Sequence, residues 1–261
     1  AISGQGFSLT SSLDDWVSIF DADNGNNQEM IFDVQGSSLT GQGTAVSNLF
    51  TPRNAGLSGS GFGGNNKLKP LFINNMIDKF DNRYQNSIIT QYETATRQFN
   101  INPWSTGYIP TNLETGNTLG TLWQVWTAKY IDTEATTEYT SRQNWHVIRL
   151  ADVYLMRAEA SAEILSDPSA ANTDINILRS RVEMNEIDYS AMSMTQFREE
   201  ILRERAVELY MEGHRFFDLT RFGVYDEYCR FVYGDTDGAR QAEDYTWPIP
   251  IIETSTNSEI D

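Results

Sequence analysis

The chain has 261 residues, with 19 Lys plus Arg against 36 Asp plus Glu and a formal net charge of −17. A surface this negative repels phosphate backbones and anionic headgroups, which argues against nucleic acid as a partner. Hydrophobic residues make up 39% and aromatics 12%, too rich for a disordered chain, and the single Cys229 leaves no internal disulfide or cysteine-based zinc site to hold the fold.

The opening residues from Ala1 carry neither the charged nor the apolar run of a signal peptide, so the chain reads as a mature segment or a fragment. No stretch approaches the run of about 18 apolar residues that a membrane-spanning helix needs. Ser12 offers a helix cap with Asp14 and Asp15 in the first turn, and Leu13, Trp16, Val17 and Phe20 share an expected apolar face. The compact apolar run Glu29 to Gln35 suits a buried strand or extended segment. Gly36 to Asn66 is mostly Gly, Ser, Thr and Asn, which predicts a long irregular loop. Pro70 fits a first helical turn, and Leu71, Ile73, Met76 and Ile77 follow at near-helical spacing toward Phe80.

From Trp145 onward the spacing is clearest. Val147, Leu150, Ala151, Tyr154, Leu155, Ala158 and Ala162 recur at steps of three and four, ending before Asp167 and Pro168. Ile175, Leu178 and Val182 predict a second helix in antiparallel contact with the first, and Ala151, Ala158, Ala160 and Ala162 would allow the two to approach closely. Thr195 is the expected cap of a third helix running through Phe197, Ile201, Leu202, Arg205, Leu209 and Tyr210 to Gly213. The fold class is therefore mainly α, tetratricopeptide-like hairpins with long irregular loops and few short strands. Residues 1–144 form a loop-rich, ligand-facing region with short helices and residues 145–261 a helical region, the two read as one continuous domain.

No catalytic constellation emerges. His146 and His214 lack a His-Glu-x-x-His arrangement, and His214 reads as a structural residue at a helix junction. Glu204, Glu208, Glu212, Arg215, Asp218 and Arg221 recur at helical spacings and predict an ion-pair lattice. Asp21 to Gly25 misplaces the glycine of a calcium loop and reads as a polar turn. Gly56 to Gly64 lacks the strand and the Gly-Lys-Ser/Thr of a phosphate cradle, and neither the serines nor Cys229 has an identifiable base partner. The anomaly is aromatic. Trp104 and Tyr108 lie in loop-like sequence among Asn102, Ser105, Thr106 and Asn112, whereas Trp123 and Trp126 read more readily as core. A sugar ring lays its apolar face on an indole and satisfies its hydroxyls with amide or guanidinium groups. The candidate platform is Trp104 and Tyr108, with Trp123, supplemented by Arg97, Asn102 and Asn112; the alternative is a satellite core beneath a long loop.

The order of motifs resembles the SusD/RagB family, surface lipoproteins that bind nutrients for uptake across the Bacteroidetes outer membrane. Glu29 to Gln35 resembles its Glu-x-Ile-Phe segment, and Asp81-Asn82-Arg83 its Asp-Pro-Arg, with Asn in place of proline. Arg149 to Ala160 is similar to the family's most recognisable helix. Glu208 to Asp218 is similar to its Glu-Gly-His-Arg-aromatic-aromatic-Asp signature, and Trp247-Pro248-Ile249-Pro250 resembles its closing Pro-Ile-Pro. The family is roughly twice this length, so the chain resembles its carboxy-terminal half. The resemblance implies a noncatalytic protein on the extracellular face of the outer membrane, lipid-anchored in its full-length form, that binds an oligosaccharide or other oligomeric nutrient and delivers it to a SusC-like TonB-dependent transporter. No cofactor or metal is expected. A helical interaction scaffold and, further off, a glycoside hydrolase are the competing readings.

Overall fold

Helix dominates the computed structural model, which describes residues 6–39, 41–58, 64–95, 97–102, 107–112, 125–137, 139–232 and 249–256. The elements discussed below are α1 (Leu13–Ser18), β1 (Met30–Val34), α2 (Val46–Phe50), α3 (Pro70–Met76), α4 (Asn82–Gln85), β2 (Gln91–Thr94), β3 (Arg97–Asn102), β4 (Gly107–Asn112), β5 (Trp145–Arg149), α5 (Leu150–Leu165), α6 (Asn172–Ser180), α7 (Met194–Glu208) and α8 (Arg215–Arg221). The chain divides into two units, Ala1–Arg215 and Phe216–Asp261.

In the first unit, α1 begins as expected, with the Ser12 side chain accepting from the Asp15 N–H. Trp16 and Phe20 are buried with Ile19, Met30 and Val182. Val17 is half exposed, because it lies about 100° around the helix from Trp16. Residues Asp21 to Gly25 form the polar turn, a 3₁₀ turn capped by Asp21. The segment expected as a buried strand is β1, paired antiparallel with β5; Glu29, Met30 and the Asp33 side chain are buried, while Phe32 and Val34 are 56% and 51% exposed.

The Gly36 to Asn66 run is less irregular than its composition predicts. It holds α2, whose Ser47, Asn48 and Phe50 are buried, and Thr44 bridges Ser141. Helix α3 has Pro70 in its first turn but stops at Met76. Ile77 turns extended, so Phe80 leaves the helical phase and is 67% exposed. The stripe that begins at Trp145 is a strand followed by a helix: pairing with β1 draws residues 145–149 into β5, and α5 starts at Leu150. Ala151, Ala158 and Ala162 are fully buried, while Ala160 faces outward. Ser166, in the left-handed region, ends α5, and α6 packs back against it. The cap of α7 is Ser193 rather than Thr195: its hydroxyl accepts from Gln196 N, and the Gln196 side chain accepts from Ser193 N. Helix α7 ends at Glu208, short of Gly213.

The ion-pair lattice exists, with different partners. Glu204, Glu208 and Glu212 are buried and meet cations from distant segments: Arg83 on α4, Lys129, Arg149 at the end of β5 and Arg181 after α6. Glu29, just before β1, joins Arg149 and Arg181, and Asp81 pairs with Arg83. Arg215, expected in the lattice, donates to the Leu202 carbonyl. In the second unit, Arg221 pairs with Asp218 three residues earlier on α8, and Phe216 meets Phe217 and Tyr225 edge to face.

Candidate ligand-binding surface

Strands β2, β3 and β4 form an antiparallel sheet in that order. β3 opposes β4 along its whole length, with Arg97 opposite Asn112, Phe99 opposite Pro110, Ile101 opposite Tyr108 and Asn102 opposite Gly107. Proline is tolerated in β4 because, among the described residues, that strand is the edge of the sheet and one side of its backbone has no ladder partner there. The sheet brings four of the sequence-predicted residues onto one ribbon. Asn102 and Tyr108 lie toward the end that leads into residues 103–106, and Arg97, exposed, lies with Asn112 at the other end. Trp104 and Trp123 lie outside the described residues.

The ribbon is tied down by rings. Tyr92 and Phe99 are directly opposed across β2 and β3, and their rings stack in parallel, 4.5 Å apart with 10° between planes. Trp126 meets Tyr92 edge to face at 5.9 Å. All three are buried. Tyr130 is buried as well, stacked on Trp145 and tilted by 47° against Phe50. Trp126 and Tyr130 thus belong to the core.

Elsewhere the unit carries a cleft of about 410 Å³ that no sequence signal marks, because it is assembled from three separated segments. Asp14, Asp21 and Asp23 line it from one side and Asp132, Glu134 and Arg142 from another, with Phe20 and Ile131 in its wall. Arg142 donates to Asp23 and Asp132 and lies 3.1 Å from Glu134. Burial opposes ionisation of Asp132, but bonds from the Arg142 backbone and side chain outweigh it and hold the carboxyl below its ordinary range. The guanidinium is therefore a clip between segments. Buried His146 is likewise engaged, its Nδ1 3.1 Å from the Asp33 carboxylate across the β1–β5 pair. Among the described residues no group of three or more His, Cys, Asp or Glu is arranged to hold a metal ion.

The family model described as the SusD family matches residues 3–261. Over 96 residues the chain is 38% identical to SusD-like protein P25 of Formosa agariphila, covering 36% of this chain and 18% of that protein. Over 116 residues it is 34% identical to starch-binding protein SusD of Bacteroides thetaiotaomicron, covering 42% and 19%. In three dimensions it is similar to a laminarin binding SusD-like protein, at 24% identity and a TM-score of 0.65, over 97% of this chain and 53% of that one. It is also similar to surface glycan-binding protein A from Bacteroides thetaiotaomicron in complex with laminarihexaose, at 18% identity and a TM-score of 0.63, over 97% and 55%. Both structural matches concern the fold, and the chain spans about half the length of these structures.

Proposed function

The chain belongs to the SusD family, and from that membership we propose that it binds carbohydrate without catalysis, taking up oligosaccharides at the extracellular face of the outer membrane for delivery to a SusC-like TonB-dependent transporter. The observation that carries the reading is the family match along residues 3–261, joined by relatives named for starch, laminarin and laminarihexaose. The longer family protein would be held at the membrane by a lipid; among the described residues no helix is long and apolar enough to cross one.

The chemistry of the chain supports a neutral polyhydroxylated ligand. A net charge of −17 disfavours acidic glycans, whereas sugar hydroxyls pair with amides and guanidinium groups and sugar faces stack on rings. The ribbon carries these residue types, Asn102 and Tyr108 toward one end and Arg97 and Asn112 at the other, and Trp104 lies in sequence between β3 and β4, with Trp123 after β4. The buried carboxylates Glu29, Glu208 and Glu212 are enclosed by their arginines and lysine, which leaves them no path to a glycosidic bond.

Calorimetric titration with laminarihexaose and maltohexaose tests the reading. One of these, or another neutral oligosaccharide in a glycan screen, is expected to bind, and Trp104→Ala is expected to weaken that binding by about 1–3 kcal/mol, by analogy with stacking on aromatic platforms, at an unchanged melting temperature. A chain that binds no glycan while forming a stable complex with a barrel protein would instead be an interaction scaffold. Full affinity in Trp104→Ala would move the platform elsewhere.

A further inference from the structure

We infer that the Tyr92–Phe99 stack is the positioning element for ligand binding: it sets the β3–β4 ribbon rigidly on the body of the protein so that the ribbon's ligand groups are held in place before the sugar arrives. The inference rests on the carbohydrate-binding reading above and concerns residues that do not themselves touch ligand.

A short antiparallel ribbon has little stability of its own, so whatever it presents is held only as firmly as the ribbon is attached. The β2–β3 ladder attaches it through the backbone, and rings carry the side-chain contact to the body. Phe99 lies in the middle of β3, opposed by Tyr92 on one side and Pro110 on the other. Stacked Tyr92 passes the contact to Trp126, and Trp126 is fixed in the body: its carbonyl accepts from Ile89 N at 2.9 Å, and its neighbours Val125 and Thr127 bridge Leu68 and Ile88. Lys67 Nζ adds a cation 5.7 Å from the indole.

The next pair of the same parity beyond Phe99–Pro110 is Ile101–Tyr108, about 7 Å along the strands, and the pair after it is Asn102–Gly107. The stack therefore sits one step behind the residues proposed to meet ligand. It also pins register, since a slip of one residue would exchange the two faces of the ribbon. Removing the ring at position 99 leaves the ligand groups present but loosely held, and ordering them is then charged against binding.

The test combines titration of the full chain with the oligosaccharide it binds, taken from laminarihexaose and maltohexaose, and amide hydrogen exchange in β3 and β4. Phe99→Ala is expected to lose about tenfold in affinity and to exchange faster in both strands. Phe99→Tyr and Tyr92→Phe, which keep the stack, are expected to retain wild-type affinity. Tyr108→Ala is expected to lose affinity without faster exchange, which separates a contact from a support. Should Phe99→Ala fold poorly, Tyr92→Leu removes the stack at similar bulk and must show the same loss. Wild-type affinity in Phe99→Ala or Tyr92→Leu, alongside a loss in Tyr108→Ala, overturns the positioning role and leaves the binding reading intact. Unchanged affinity in Tyr108→Ala moves the platform off the ribbon and overturns this inference alone, whereas no glycan bound by the wild type overturns the underlying reading together with it.

Discussion

Glu208 shows how one side chain can be the centre of a fold. Its carboxylate accepts from Trp16 Nε1 at 3.1 Å, Arg149 at 2.8 Å, Arg181 at 2.7 Å and Arg83 at 3.1 Å, all of them buried. Charges removed from water are tolerated only while each has its counterpart, so Glu208→Gln, which keeps the shape and deletes the charge, is expected to cost about 3–5 kcal/mol in urea unfolding. The exposed pair Arg198–Glu163 is the contrast: Glu163→Gln should cost less than about 1 kcal/mol, because solvent already screens it. The helical spacing of Glu204, Glu208 and Glu212 was visible in the sequence. Their partners were not, since Arg83 and Arg149 reach them from 125 and 59 residues away. Gly213 is a similar case. Its positive φ of +91° marks a forced turn, as its place after the helix predicted, but that a side chain there would also press on Trp145 is a matter of packing.

At the scale of elements, periodicity located α5, α6 and α7 because each buries one stripe against its neighbours, and Leu155, Leu178 and Ile201 sit on those stripes with no exposure. The ends were harder to read. Two hydroxyl residues, Ser193 and Thr195, precede α7, and only the reciprocal bonds with Gln196 select Ser193. Ser193→Ala is therefore expected to lower stability by about 1 kcal/mol, seen as a drop in thermal midpoint by circular dichroism, while Thr195→Ala leaves it nearly unchanged. Strand β5 escaped the sequence because Val147 and Leu150, three apart, fit a helical step; the pairing with β1 nevertheless draws residues 145–149 into a strand. The β3–β4 ribbon was hidden for the same reason, since Pro110 and the polar residues around it resemble a loop until the register is seen.

For the whole molecule, the buried lattice makes stability a function of acidity. Burial would raise the Glu212 carboxyl, but Arg149 and Lys129 outweigh it and hold it down at about 2, and Arg181, Arg149 and Arg83 hold Glu208 well below its ordinary range against the same burial. A carboxylate whose folded value lies below its unfolded one contributes stability above the unfolded value and loses it as pH falls toward the folded one. Unfolding midpoints in urea should thus decline from pH ~4.5 down to 2, with Glu212 alone accounting for on the order of 3 kcal/mol. Lys129, lowered to about 8 by burial with Glu212 resisting, is protonated in both states across this window and does not confuse the measurement. The amino-acid sequence alone determined the helical class, the hairpin of α5 and α6 and the family, because these depend on local spacing and on ordered motifs that neighbouring residues carry with them. Tertiary structure alone decided which charges meet, which aromatics are core and how the ribbon is fastened, because those outcomes depend on burial and on contacts between segments far apart in the chain.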